Sequence, residues 1–368
     1  MRKKRFSLRR LLAWLIPTVL ALLCAVCLGL SWIVANTLPS VRAAERWRGE
    51  NELRFAQVSC FLPEDEKKDL QAIETFRRAV DQAMVDASLV EKQEAVRPGQ
   101  VSVEAVQLAS ALYQDAWSGS GKITVSNGAA SADVKAIGVG GEFFLFHPLQ
   151  LRSGSYLSEN DLMQDRVILD EELAWRLFGS SDVAGLSVMI AGEPFFVAGV
   201  VHRESDFASS QAYTDGAGLF MSYAALNKLT GSGISCYEIV LPDPISGYGL
   251  SVVQKSFPIG GGDMVQVSGR YSIKSLCAIV KDFGVRSMRT GDVIYPYWEN
   301  AARLTEDYLA LLMVLALLFG IAPVLIVIVQ SIRYTVKACR YVKRSVPARL
   351  RAGLEAHREK KFAKAGER

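Results

Sequence analysis

The chain has 368 residues, half of them apolar and 22% charged, with a formal net charge of +4. These proportions exclude wholesale disorder, and 12 prolines and 29 glycines exclude collagen-like and low-complexity chains. The small net charge conceals a segregation: residues 1–34 hold six Lys/Arg and no acid, residues 308–368 hold twelve Lys/Arg against three Glu, and residues 35–307 hold 24 basic and 35 acidic side chains. A uniformly basic nucleic-acid binder is not arranged this way, and no nucleic-acid partner is expected.

Taken in order, residues 1–10 form a basic N-terminus and residues 11–35 an uncharged apolar run. Residues 308–332 form a second such run of 25 residues. A bilayer core needs about 20 helical residues, so both runs are long enough to span it. Arg2 to Arg10 before the first run and Arg333 to Arg344 after the second place both flanks in the cytoplasm by the positive-inside rule. The acidic stretch 36–307 then lies outside, giving two spans in a cell membrane with both termini cytoplasmic. A cleaved signal peptide ending near Val41-Arg42-Ala43 is the competing reading of the first run. A signal core of about 7–15 residues is much shorter than this one. Pro17 and Pro323 sit inside the runs, and the Gly320–Pro323 stretch is a candidate bend. In the first run Ala21, Ala25 and Gly29 recur every four residues and make a candidate helix interface with a second copy or a separate permease subunit.

The outside segment reads as mixed α/β. Residues 42–52 look helical, and 53–62 is a strand rich in aromatic and β-branched residues. Pro63-Glu64-Asp65-Glu66 precedes an amphipathic helix to about Leu89, with Leu70, Ile73, Phe76, Val80 and Met84 on its stripe. A helical patch around 103–117 and short strands at 122–126 and 133–139 follow. Aromatic Phe143–Phe146 leads to a strand over 149–154 ending on glycine. Strand 166–169 gives way to a short helix capped by Asp170, with Leu173, Ala174, Leu177 and Phe178 inward and Gly179 stopping it. Residues 186–190 and 195–201 alternate about a Gly-containing turn, a hairpin signal.

Little chemistry is written in these residues. Three scattered histidines offer no metal-ligand spacing, and no cofactor fingerprint is present. His147, beside aromatics and Pro148, reads as a packed or surface histidine. His202, Ser205 and Asp206 are close in sequence but lack a nucleophile turn, and a loop explains them. The phosphate-loop lookalike Gly119-Ser120-Gly121-Lys122-Ile123 fails, because Ala116 stands where a glycine is required and Ile123 where Ser or Thr is required. Gly260 to Asp263 reads as a turn. Cys60, Cys236 and Cys277 are an odd set outside, allowing one bridge at most, and free thiols are the simpler expectation. In the basic tail, 333–368, Pro347 suits a helix start and Leu350 and Leu354 share a face. That tail reads as an orientation signal, a lipid-held segment or a docking segment.

From 137 to 201 the residues form a dense pattern: Phe143, Phe144, Gly154, Asp161, Leu169, Ala174, Leu177, Phe178, Gly179, Asp182, Gly185, Val188, Gly192, Phe195, Val197, Gly199 and Val200. This pattern resembles the extracytoplasmic core domain of MacB-type ABC transporter permeases. The resemblance implies an α/β domain with a porter-like part, here 53–135 with 236–290, and a β-rich insertion at about 140–225. Family permeases have four spans, and this chain offers a two-span form without an ATPase. The implied role is a noncatalytic, permease-like membrane component that passes the movement of a separate ABC ATPase to the outside domain. A membrane-tethered binding or sensor module is the alternative.

Overall fold

The computed structural model describes residues 8–49, 53–87, 89, 112–158, 161–213, 218–286 and 293–366. It divides into two units, one of Met1–Trp32 with Leu311–Arg368 and one of Ile33–Ala310. The second unit is built on a sheet of ten strands. Of the expected helical patch, residues 103–111 lie outside the described residues.

Strand β1 (Phe55–Phe61) is followed by helix α3 (Leu70–Asp86), after the short helix α2 (Ala43–Arg48). The expected start at Pro63 is corrected. Glu64–Glu66 form a single 3₁₀ turn, and α3 begins where the Asp69 carboxylate accepts from the Ala72 amide. Strands β2 (Gln114–Ser126) and β3 (Ser131–Gly141) form a hairpin longer than its sequence suggests. Residues 114–117 belong to it and are not helical. Then come α4 (Phe143–Phe146), β4 (Gln150–Gly154), β5 (Arg166–Asp170) and α5 (Glu171–Phe178). Strands β6 (Ser187–Ile190) and β7 (Glu193–His202) turn at Ala191 and Gly192, both with positive φ, the conformation of a tight hairpin turn. Helix α6 (Phe207–Ala212), β8 (Gly218–Ser222), α7 (Tyr223–Thr230), β9 (Cys236–Pro242), α8 (Tyr248–Ser256), β10 (Asp263–Gln266) and α9 (Ile273–Ile279) complete the domain.

Pairing organises these strands into two halves joined by β2. On one side β10, β1, β9 and the first residues of β2 lie antiparallel. Alternate residues of β1 and β9 face opposite ways. Val58, Cys60, Tyr237, Ile239 and Leu241 meet α3 and α8 on one face. Phe55, Phe61, Cys236 and Val240 meet α2, α4 and Trp298 on the other. On the other side β2, β3, β8, β5, β7 and β6 pair in succession, and β6 returns to β2 through Val125 and Ser126. The hydrogen bonding therefore closes into a six-stranded ring, which leaves β6 no open edge at that point. Its interior holds Val134, Val167, Leu169, Val188 and Val197, with Leu173 and Leu177 of α5 and Leu226 of α7 packed in. The ring takes in β2 and β3, so it begins before residue 140.

The first unit contains most of helix α1 (Leu8–Ala35) and of α10 (Tyr297–Gly366). Both carry stretches long and apolar enough to cross a membrane. Helix α10 starts eleven residues before the apolar run and continues beyond it, so neither Pro323 nor Pro347 ends it. Within this unit a Cβ built on Gly320 would lie 3.4 Å from Cys24 Sγ. Cys27 and Ala316 are buried in the same unit. Small side chains thus mark where the two helices meet.

Candidate functional site: the root of the second span and the groove beside it

The first three turns of α10 belong to the outside domain. Glu299, Arg303 and Glu306 fall at i, i+4 and i+7 and so share one face. All three are buried, as is Arg270 after β10. Arg270 straddles the helix face. Its Nη1 and Nη2 donate to the two Glu299 oxygens at 3.0 and 3.2 Å, and its Nε donates to Glu306 at 2.8 Å. Arg286 donates to the other Glu306 oxygen at 2.5 Å. Arg303 Nε donates to Glu299 at 2.7 Å and its Nη2 to Asp263 at 3.3 Å. The Tyr295 hydroxyl also donates to Asp263, and its ring lies 3.9 Å beneath the Arg303 guanidinium. Three arginines thus meet three carboxylates, which is what burying charge requires. Burial pushes the Glu299 carboxyl up, but Arg270 and Arg303 outweigh it and hold the carboxyl below its ordinary range. The opposite face of the same turns is apolar, with Ala301 and Ala302 against Leu38, Ala208 and Ala212.

Beside this root lies a groove of about 710 Å³. Its floor includes Ser118–Lys122, Ile137 and Phe220, and its wall includes Leu149, Arg203, Tyr213 and Tyr295–Trp298. Arg203 donates to Asp170 at 2.6 Å and lies over the Tyr213 ring at 4.8 Å. Tyr213 stacks on Tyr297 with centroids 4.2 Å apart. Asp170 also caps α5 and accepts from the Gly218 amide at 2.5 Å. Its burial outweighs these donors and holds its carboxyl above the ordinary range. His147 is packed and paired: its Nε2 meets Glu238 at 2.5 Å between the rings of Phe143 and Trp298. Glu238 accepts from Ser59 as well, at 2.8 Å.

The trio His202, Ser205 and Asp206 does not assemble. His202, at the end of β7, pairs with Glu171 at 2.7 Å, while Asp206 caps α6, and residues 203–206 form the short loop between the two elements. Gly119–Lys122 lies inside β2, not in a loop before a helix. Glycine is needed at 119 because a Cβ there would lie 2.5 Å from the Gly233 carbonyl oxygen. Among the described residues no three metal-donor side chains gather. All six cysteines are free, with Cys60 and Cys236 buried on neighbouring strands, Cys277 and Cys339 exposed.

The residues of the 137–201 pattern divide by role. Leu169, Ala174 and Val197 fill the ring, and Phe178 packs against it. Gly179 ends α5 in the left-handed conformation, and Gly185 and Gly192 also have positive φ. Gly154 and Gly199 allow β4 and β7 to touch, since a Cβ on Gly154 would stand 2.0 Å from the Ala198 oxygen. Phe143 reaches Trp298 at 5.5 Å, and Phe144 stacks on Tyr156 at 4.5 Å. None of them lines the groove. Ala21, Ala25 and Gly29 are exposed, and a Cβ on Gly29 would meet nothing within 4 Å. Sequence reasoning missed the root of α10. The i, i+4, i+7 charges just before an apolar run were its one local signal.

Residues 64–246 match the family model described as MacB-like periplasmic core domain. A curated relative, the macrolide export ATP-binding/permease protein MacB of Aggregatibacter actinomycetemcomitans, is 30% identical over 143 residues, 38% of this chain. The match spans 21% of that protein's length. The crystal structure of the periplasmic region of MacB from Actinobacillus actinomycetemcomitans aligns at 18% identity over 62% of this chain and 94% of its own, with a TM-score of 0.37. That of the extracellular domain of the noncanonic ABC-type transporter YknZ from Gram-positive bacteria aligns at 16% identity over 55% and 90%, with a TM-score of 0.33. At these scores the two overlays add nothing to the sequence match.

Proposed function

Because the chain carries a MacB-like periplasmic core domain flanked by two helices apolar enough to span a membrane, we propose that it is a noncatalytic, permease-like component of an ABC-transporter-type system. In this reading a separate cytoplasmic ATPase shifts the spans, and the outside domain takes up the shift. Both termini are cytoplasmic, in keeping with the basic flanks. The observation that supports the coupling is the root of α10. A helix whose Glu299 and Glu306 are held by Arg270 and Arg286, and whose Arg303 reaches Asp263, has one register in the domain, so movement of that helix is movement of the domain. Coupling of this kind requires two arrangements that nucleotide biases. The exposed Ala21–Ala25–Gly29 face is the contact with a separate permease or a second copy in this reading.

The test is purification of the full chain in mild detergent with the ATPase that accompanies it. Protease sensitivity of the outside domain should change between nucleotide-free and ATP-trapped states, and Arg270→Met should weaken that change while the ATPase stays bound. Ala25→Leu with Gly29→Leu should release the partner permease or second copy. The groove favours a second reading, a tethered binding module, because Tyr295 both lines it and carries Arg303 of the root. An outside domain indifferent to nucleotide, with no ATPase bound, would leave that reading in place of the first.

A further inference from the structure

The segment after β10 carries apolar side chains that the domain leaves uncovered. In α9, Leu276 and Ile279 face inward and are buried. Ile273, Cys277 and Val280, spaced by four and three, face outward, and Ile273 is 75% exposed. Phe283 and Val285 follow, 47% and 77% exposed. Lys274 and Lys281 flank this stripe and are exposed, with Asp282 the one exposed acid among them. This is a short amphipathic surface, apolar outward and basic at its margins, and a soluble surface has no use for it.

Its position says what covers it. Arg286, at the end of the segment, is tied to Glu306 at 2.5 Å, and Arg270, just before α9, is tied to both Glu299 and Glu306. Glu306 stands two residues, about 3 Å of helix, before the uncharged run that begins at Tyr308. A second exposed aromatic meets the same turn: Phe207, 66% exposed, packs on Tyr308 with centroids 5.0 Å apart, and Gln211 accepts from the Tyr308 hydroxyl at 3.4 Å. Aromatic rings and lysines gather at this depth in membrane proteins because an apolar body and a polar tip match the boundary between acyl chains and headgroups.

We propose that residues 273–285, with Phe207, form an interfacial collar that seats in the outer headgroup layer around the root of the second span. The occupant is the lipid surface itself: Ile273, Val280, Phe283 and Val285 enter the acyl boundary, and Lys274 and Lys281 reach phosphate groups. The collar and the ion network are one assembly, since Arg270 and Arg286 bracket the collar and hold the helix. The proposal requires α10 to be embedded in a bilayer and does not depend on an ATPase.

The experiment uses the full chain with Cys339→Ser in proteoliposomes of phosphatidylethanolamine and phosphatidylglycerol, labelled with an NBD dye at the native exposed Cys277. Cys24, half-buried in α1, is replaced by Ser as well, and the remaining thiols, Cys27, Cys60 and Cys236, are buried and protected from the reagent. A second sample carries the dye at Lys228→Cys, an exposed position in α7, with Cys277→Ser. The Cys277 dye should show blue-shifted emission and be quenched by a spin label near the lipid headgroup, more than by one near the chain end or by aqueous iodide. The Lys228→Cys dye should be quenched by iodide alone. Phe283→Ser with Val285→Ser should reduce the lipid quenching at Cys277 and raise the iodide quenching. Red, iodide-quenched emission at Cys277 in the parent protein overturns the proposal. Blue-shifted emission that no lipid quencher touches also overturns it, since a protein surface would then be the cover.

Discussion

The interior of the six-stranded ring and the root of the second span are both buried, yet they are held by opposite means. The ring is apolar, with Leu169, Val188 and Val197 of its strands and Leu173 of α5 in one core. Burial of this kind is non-directional, and neighbours can shift to fill a gap. The root is ionic, with Arg270, Glu299, Arg303 and Glu306 buried in fixed pairs. Fixed pairs tolerate no slip of the helix, because one residue of rotation leaves charges without partners. A domain that only needed stability would fill both places with leucine. Charge at the root fixes the register of the helix in the domain, which is what the proposed coupling requires.

The largest effect is expected from Arg270→Met. It leaves Glu299 and Glu306 short of partners, and removing one member of a buried pair costs about 3–5 kcal/mol. Thermal unfolding of the full chain in nanodiscs should show that loss. Replacing Arg270, Arg286, Glu299, Arg303 and Glu306 together by apolar residues should restore much of the stability while leaving the joint without its register. Leu169→Ala should cost about 2–5 kcal/mol, through a cavity in the ring. If that substitution also disturbed the root, the two regions would not be the separate packings described above.

Acid should separate the regions too. Glu299 is held below the ordinary carboxylate range, so its contribution is present above the unfolded value near about pH 4.3 and is lost as pH falls through the lowered folded value. Glu204 has the opposite sign. Burial raises its carboxyl, so the stability it contributes is present at low pH and lost as pH rises through the raised value. Glu204→Gln should therefore stabilise the domain near neutrality and change little in acid, as an unfolding series against pH will show. The smallest effect belongs to Lys228→Ala, which breaks a pair with Glu193 whose two members are 71% and 54% exposed. That loss should stay within about 0.5 kcal/mol.

What could be read from the sequence was local. The Asp170 cap, the Gly179 stop and the turn after Ile190 each depend on residues within a few positions, and the structure has them there. The two apolar runs and the mixed α/β class were equally plain, because length, charge and periodicity are properties of a segment. Non-local features were hidden. Ser118-Gly119-Ser120-Gly121 has the composition of a loop, but it is strand, paired with Ala136–Val139 of β3, and its glycine at 119 answers to Gly233, which crosses too closely for any side chain there. The return of β6 to β2 joins residues more than 60 positions apart. At the root, Arg270, Arg286 and Asp263 come from three places in the chain, and each alone reads as a surface charge. The helix start at Tyr297 was missed for the same reason, since the apolar run drew the boundary at 308.

The central claim is that the first turns of α10 and the sheet behave as one body. Amide hydrogen exchange on the full chain in nanodiscs tests it most directly, read at 299–307 and at 236–242 of β9. The account predicts that the two segments exchange at the same slow rate, both tracking global unfolding of the domain, and that Arg270→Met releases 299–307 alone. Fast exchange at 299–307 in the unaltered protein, with β9 still protected, would contradict it.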